Sequence, residues 1–187
     1  LHVLAHHRDL AVTDRNQVRA HWQQIVTPVA GRRRVGIMGM GQIARACART
    51  LGSLGFDTAG WSRSGAAVEG VTPYAGPAGL PGFLARSEIL VCLLPLTPGT
   101  RDILNAATFA LLPRGARLVN AGRGGHLVEN DLLEALDSGH LAGATLDVFR
   151  TTVGAAAVGM AQRAQDEART YAKTRQQFDA PLGELAT

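Results

Sequence analysis

The sequence predicts an α/β fold built on a doubly wound parallel sheet, and two observations carry that prediction. One is a short apolar run, Val35 to Met38, that breaks into Gly39-Met40-Gly41-Gln42-Ile43-Ala44, a G-x-G-x-x-A turn heading a segment of helical periodicity. The other is an alternation from Arg34 to about Phe149 between apolar runs short enough for buried strands and amphipathic segments stopped by Gly or Pro. In such a sheet, ligands sit beyond the carboxyl ends of the strands, so the segments that follow the apolar runs are where binding residues are expected.

Taken in order, residues 1–30 read as a helical lead-in, with patchy periodicity from Leu1 to Gln24, and as the end of something longer. His6, His7 and His21 do not form a metal site, because adjacent histidines point to different helix faces and no Cys or carboxylate cluster accompanies them; a solvated helix is the expectation. Arg32-Arg33-Arg34 reads as a solvated cluster at the mouth of the first strand. Gly39 then lets the chain turn sharply, Gly41 leaves room for a pyrophosphate to approach the backbone, and Ala44 allows close helix packing. The amides at the helix start face the phosphates, where the helix dipole favours negative charge. Such a turn alone also opens helices that bind nothing. Here Ile43, Cys47, Thr50/Leu51 and Leu54 supply an expected apolar face, Gly55 a stop, and Phe56 to Trp61 a second strand, which together make the first half of a dinucleotide-binding unit.

Gly65 to Pro81 is rich in Gly, Ala and Pro, with a short strand at Val71 to Tyr74 and a short helix at Leu80 to Arg86. Ile89 to Leu94 is fully apolar, as a parallel strand covered on both faces requires. A helix at Ala106 to Leu112 ends at Pro113, Ala116 to Asn120 is the next strand, Glu129 to Ser138 is a helix closed by Gly139, and Ala144 to Val148 is the last strand.

The 187 residues, 46% of them hydrophobic, are enough for one globular domain and an appendage. The formal charge of +4 comes from arginines scattered along the chain, which argues against a nucleic-acid-binding surface. Cys47 and Cys92 read as small buried hydrophobes, with no disulfide or metal framework. No apolar run approaches a membrane span and no leader is apparent, so the expectation is no membrane partner and a cytoplasmic location.

The strings GMGQIA, GWSRS, LVCLLPLTPGTRDILN, LVNAGRGGHLVENDLLEAL and LDVF closely resemble the cofactor domain of the D-isomer-specific 2-hydroxyacid dehydrogenases, particularly the glyoxylate/hydroxypyruvate reductase branch. The resemblance implies a nicotinamide cofactor, hydride transfer to or from a small 2-keto or 2-hydroxy acid, and leaves a homodimer open. It implies that Arg123, in Asn120-Ala121-Gly122-Arg123-Gly124, grips the substrate carboxylate and polarises the carbonyl; the alternative is a surface arginine after a strand. It places Leu94, Pro95 and Thr97 along the cofactor, with Ala121 and Gly122, and Asp147 against the nicotinamide carboxamide. Met40, Gln42 and Ile43 join the glycines of the turn as cofactor contacts.

The chain also departs from the family. Members carry a glutamate in an E-P segment and a histidine in a P-H-x-A segment after the LDVF strand, whereas here Arg150-Thr151-Thr152-Val153-Gly154 follows. His126 and His140 do not match the acid position and read as polar surface. Val153 to Thr187 reads as a long helix broken by Pro181, with an apolar stripe from Val153 to Tyr171. It resembles the C-terminal helical segment of flavin-dependent acyl-CoA dehydrogenases, with Arg175-Gln176-Gln177-Phe178 matching their R-x-x-F, and a junction is expected near Phe149. The domains expected are therefore 1–30, 31–149 and 150–187, and the chain is expected to be incomplete and inactive alone. A non-catalytic dinucleotide-binding or interaction fragment is the rival reading, and an acyl-CoA dehydrogenase fragment a third, resting on the tail.

The second strand ends Trp61-Ser62-Arg63-Ser64 without the acid that would bind a ribose 2′-hydroxyl, and Asp57 lies at its other end. Arg63 and its flanking hydroxyls suit a 2′-phosphate, so NADPH is expected over NADH; otherwise Arg63 is a solvated loop residue.

Overall fold

The computed structural model describes residues 1–65, 67–146, 176–177 and 180–181. The chain divides into two units, 1–148 and 149–187. In the first, helices α1 (His2–His7) and α2 (Leu10–Val18) precede an alternating series: β1 (Arg34–Met38), α3 (Gln42–Ser53), β2 (Asp57–Ser62), β3 (Thr72–Ala75), α4 (Gly76–Arg86), β4 (Ile89–Cys92), α5 (Ala106–Ala110), β5 (Ala116–Asn120), α6 (Glu129–Asp137) and β6 (Leu141–Leu146). All six strands run parallel in the order β3-β2-β1-β4-β5-β6. The order reverses between β1 and β4, which is where a doubly wound sheet opens a crevice.

Two apolar layers fill the faces of this sheet. Val35 and Ile37 of β1 and Ile89 and Val91 of β4 pack with Ala44, Ala48 and Leu51 of α3. Met38, Leu90, Cys92 and Leu118 point the other way, with Phe83, Leu84 and Phe109. The run Ile89–Cys92 of β4 is apolar throughout because both faces are covered there, yet within each strand the side chains still alternate between the two layers.

Register decides where the site lies. Tyr74, Trp61, Met38, Cys92, Asn120 and Leu146 form one row across the sheet, each paired with the next. Every strand thus delivers its following loop to one edge at one level.

Several expectations need correction. The buried stripe of α3 is Ala44, Ala48 and Leu51, while Ile43 is 72% and Leu54 48% exposed. Alanine at those positions lets the helix lie close to the sheet, which turns Ile43 outward. Helix α4 begins at Gly76 rather than Leu80, because Pro77 is tolerated in a first turn whose amides are unpaired anyway; Pro81 lies inside it. Strand β6 begins at Leu141, three residues before Ala144, extended by pairing with Ala116. Helix α5 ends at Ala110.

The lead-in helices are not simply solvated. The break between them is at Asp9, with φ of 50°. Val3 and His7, one turn apart, are buried, and the His7 ring meets Phe56 edge-on at 5.0 Å between centroids. His6 Nε2 lies 2.9 Å from Thr145 Oγ1, and Asp9 pairs with Arg117 of β5. An imidazole can serve as an aromatic filler, a use that composition does not reveal. Of the arginine triplet, Arg33 is largely buried and pairs with Glu88 at 3.5 Å, while the Arg34 amide donates to the same carboxylate at 2.9 Å. Cys92 is buried and its thiol is pushed up to about 11 by burial; Cys47 is half-buried.

In the second unit, β7 (Gln176–Gln177) pairs antiparallel with β8 (Ala180–Pro181). The expected helix therefore does not reach Pro181; a residue preceding proline is pushed out of helical geometry, and Ala180 is extended. The apolar stripe from Val153 to Tyr171, Asp147 and the Phe149 junction lie outside the described residues. Among the described residues, no helix is long and apolar enough to cross a membrane.

Candidate functional site

At the crevice between β1 and β4, the chain leaves β1 through Gly39, whose φ of 96° favours glycine. Its amide donates to Trp61 O at 2.8 Å, and a Cβ there would stand 2.9 Å from Leu93 O. Gly39 is thus glycine for the fold. Gly41 differs: its φ is −74°, and among the described residues a Cβ would meet nothing within 4 Å. The described residues leave that space open, immediately before the start of α3. Among the described residues no side chain caps this helix, and the first bond of its ladder runs from the Arg45 amide to Gly41 O at 2.9 Å. The preceding amides are donors for an anion, with the positive end of the helix dipole behind them. A glycine with open space before it and an uncapped helix start fit a dinucleotide pyrophosphate.

The crevice has two hollows. One, about 450 Å³, is bounded by Gly39, Met40 and Gly41, by Trp61 to Ser64, and by Leu94, Pro95 and Thr97. The other, about 700 Å³, runs from Gly41, Gln42 and Ile43 past Leu94 and Pro95 to Ala121, Gly122 and Arg123. Every candidate residue within the described chain therefore lines one continuous edge, with Gly41, Leu94 and Pro95 shared. Asp147 falls outside the described residues.

Within this set the side chains differ in what they can offer. Trp61 is 9% exposed and its Nε1 donates to Gly76 O at 2.8 Å, so it forms the floor. Met40 is buried against Gly60, where a Cβ would lie 2.4 Å from its sulfur. Arg63 and Ser64 are exposed. Asp57, at the far end of β2, pairs with Arg86 at 2.5 Å and takes no part in the crevice. The loop after β4 is held by Thr100: its hydroxyl donates to Pro95 O at 2.7 Å and accepts from the Thr97 amide at 2.8 Å.

Arg123 presents its guanidinium over the second hollow from a clamped backbone. The Asn120 amide group accepts from Gly122 N at 3.2 Å and donates to Arg123 O at 3.2 Å. From the other side, the Arg123 amide donates to His126 Nδ1 at 3.0 Å. The same Nδ1 lies 3.0 Å from Arg123 O, and Nε2 is buried without a partner among the described residues. His126 is 0% exposed, which corrects its reading as polar surface. Gly122 leaves room for the ring: a Cβ there would stand 3.0 Å from its atoms. His140 is part-buried, with Nε2 2.7 Å from Phe109 O, far from a purely solvated role. Arg123 Nη1 donates to Gly122 O at 2.7 Å, and the side chain is otherwise exposed.

Sequence reasoning missed three residues at this edge: His126 as the clamp of Arg123, Thr100 as the brace of the β4 loop, and Arg45 on the wall of the first hollow. The spacing signal existed for Arg45, since a side chain one turn into a helix leans back toward its start.

Residues 1–174 match the family model for the NAD-binding domain of D-isomer specific 2-hydroxyacid dehydrogenases. The chain is 48% identical over 117 residues to glyoxylate/hydroxypyruvate reductase A of Serratia proteamaculans, a match covering 63% of this chain and 37% of that protein. It is similar to the D-isomer specific 2-hydroxyacid dehydrogenase of Xanthobacter autotrophicus in complex with NADPH, with a TM-score of 0.78 and 48% identity, covering 80% of this chain and 47% of that one. The NADPH-dependent glyoxylate/hydroxypyruvate reductase of Sinorhizobium meliloti, in complex with NADP and sulfate, gives 0.77 and 47%, covering 80% and 48%. The chain thus spans about half the length of these relatives or less.

Proposed function

The chain belongs to the D-isomer specific 2-hydroxyacid dehydrogenase family, and from that premise we propose that its crevice binds NADPH in preference to NADH and presents it to a small 2-keto acid of the glyoxylate or hydroxypyruvate type. The observation that carries this reading is the level edge on which the Gly39–Ala44 turn, the Ser62–Ser64 segment and the Asn120–Arg123 clamp meet. Relatives whose structures hold NADPH or NADP support the cofactor, and relatives named for glyoxylate and hydroxypyruvate support the substrate class.

The residues divide the work by position. Gly41 and the first amides of α3 take the pyrophosphate. Arg63, with Ser62 and Ser64 beside it, takes the ribose 2′-phosphate. Arg123 meets the keto acid, its planar fork matching a carboxylate and an adjacent carbonyl oxygen, while Asn120 and His126 fix the backbone from which it reaches. Bound here, a reduced nicotinamide would supply the hydride. The proton that completes reduction requires an acid, and the chain has no histidine beyond His140. His126 is fully enclosed and engaged with Arg123. On this reading the chain binds the cofactor, and among the described residues at this edge no histidine is placed to donate the completing proton.

Titration of the chain with NADPH and NADH, followed by nicotinamide fluorescence, tests the proposal. A charge-assisted hydrogen bond is worth about 1.5–3 kcal/mol, so NADPH is expected to bind roughly ten- to a hundredfold more tightly. Equal affinities, or a preference unchanged in Arg63→Ala, would overturn it.

A further inference from the structure

Arg45 lies one residue past the G-x-G-x-x-A turn, in the first turn of α3. Its side chain leans toward the helix start, and its Nε donates to Met40 O at 3.0 Å, which holds the guanidinium over the turn. That bond uses one of five N–H donors. Among the described residues no ion pair engages Arg45, whereas Arg33, Arg34, Arg86 and Arg117 each have a carboxylate.

Its position relative to the two hollows is informative. Arg45 lines the first, with Arg63 and its flanking serines, and does not line the second, with Arg123. It also borders an adjoining hollow with Arg49, Val68 and Glu69. Arg45 therefore stands between the start of α3 and the segment after β2, on the ribose side of the phosphate turn. In this class of domain the group at the end of the second strand meets the ribose 2′ position, while the pyrophosphate sits on the helix amides. Arg63 approaches that place from the strand and Arg45 from the helix. Glu69, the carboxylate bordering the outer hollow, is exposed, and no ion pair joins it to Arg45 among the described residues.

We propose that Arg45 is a second cation of the 2′-phosphate subsite, acting with Arg63 from the opposite wall to select NADPH. The assignment rests on the NADPH reading above and extends it to a residue outside the strand-end segment. Two guanidinium forks suit a phosphate dianion because each can donate two parallel hydrogen bonds to its oxygens.

The test uses the 187-residue chain, titrated with NADPH, NADH, 2′,5′-ADP and 5′-AMP, in wild type, Arg45→Gln, Arg45→Lys, Arg63→Ala and Arg49→Gln. Since Arg45 is exposed, the NADPH to NADH affinity ratio should fall roughly five- to tenfold in Arg45→Gln, between the range of exposed ion pairs and that of charge-assisted bonds. NADH and 5′-AMP affinities should stay unchanged, 2′,5′-ADP should weaken in parallel with NADPH, and Arg45→Lys should fall between Gln and wild type. Arg49→Gln, with the same loss of charge one turn further along, should leave the ratio unchanged. A ratio that survives Arg45→Gln but falls in Arg63→Ala would overturn the Arg45 assignment alone. Equal weakening of NADPH and NADH would make Arg45 a general phosphate or structural residue and would also overturn it. No NADPH preference in the wild type would instead refute the cofactor reading itself.

Discussion

Gly39 and Gly41 stand two residues apart in one motif, and replacing each by alanine should produce opposite defects. At Gly39, alanine must adopt φ near 96° and place a Cβ 2.9 Å from Leu93 O, 3.1 Å from its carbonyl carbon and 3.3 Å from Leu94 N. The left-handed conformation alone costs an alanine about 1–2 kcal/mol. The obstructing atoms are backbone held by the bond from Leu93 N to Met38 O at 2.9 Å, so they cannot yield without loosening β1 from β4. Adding a typical overpacking cost of about 1–3 kcal/mol gives about 2–5 kcal/mol for Gly39→Ala. At Gly41, φ is ordinary and the space is open. Losing a glycine N-cap to alanine costs up to about 1 kcal/mol, offset by about 0.4–1 kcal/mol from the stiffer unfolded chain, for a net change near zero. That methyl group instead occupies the volume assigned to the pyrophosphate, and NADPH affinity should drop by roughly tenfold or more, the equivalent of about 1.4 kcal/mol. Urea denaturation followed by circular dichroism, together with NADPH fluorescence titration, separates the two. With a slope of about 2 kcal/mol per molar urea, Gly39→Ala should lower the midpoint by roughly 1–2.5 M and Gly41→Ala by almost nothing. Comparable midpoint losses, or wild-type NADPH binding by Gly41→Ala, would refute the division of labour between these glycines.

Three further outcomes follow from the same geometry. His126→Ala removes the acceptor for the Arg123 amide and empties a fully buried site, so stability should fall by about 2–4 kcal/mol and amide exchange at 122–124 should quicken, whereas His126→Asn should restore part of the protection; unchanged exchange would refute the clamp. Burial, aided by Arg33, lowers the pKa of His7 below its ordinary 6.5, and burial, aided by Arg117, does the same for His6. The neutral rings are therefore the folded forms: the stability they contribute is full above about pH 6.5 and is lost as pH falls toward their lowered folded values. Urea midpoints measured from pH 7.5 to 5.0 should decline, and His7→Phe should flatten the decline; a flat wild-type profile would contradict the docking of α1. On the proposed reading, in which no histidine at this edge is placed to donate the proton, glyoxylate and hydroxypyruvate should elicit no steady NADPH oxidation from this chain, since the lack of a positioned acid typically forfeits about 10²–10⁴-fold in rate; turnover abolished by Arg123→Ala would refute that expectation.

The fold was legible where one physical cause dominated. Ile89–Cys92 is apolar because both sheet faces are covered, and Gly55 and Gly139, with φ of 83° and 66°, stop their helices at the positions where a glycine stop is expected. The candidate edge was legible for a related reason: a parallel sheet delivers successive loops to one side, so residues far apart in sequence could be grouped before any distance was known. What escaped the sequence depended on which side of a helix meets the sheet. Ile43 is more hydrophobic than Ala44, yet alanine permits the closer approach and takes the core, leaving Ile43 to the crevice. The histidines escaped because burial of a polar ring requires a particular neighbour. Phe56 for His7 and the Arg123 amide for His126 come from contacts that periodicity does not encode. Arg45 escaped because the motif ends at Ala44, although the side chain one residue later leans back over it.

The most direct test of the proposed cofactor crevice is a residue-resolved amide titration of the labelled chain with NADPH by two-dimensional NMR. The crevice predicts saturating shifts at Gly41, Gln42, Arg63, Ala121 and Gly122, with the Gln42 and Arg63 amides moving on one binding curve and the amides of α2 remaining still. Shifts confined to α1 and α2, or no saturable shifts at the carboxyl edge of the sheet, would contradict it.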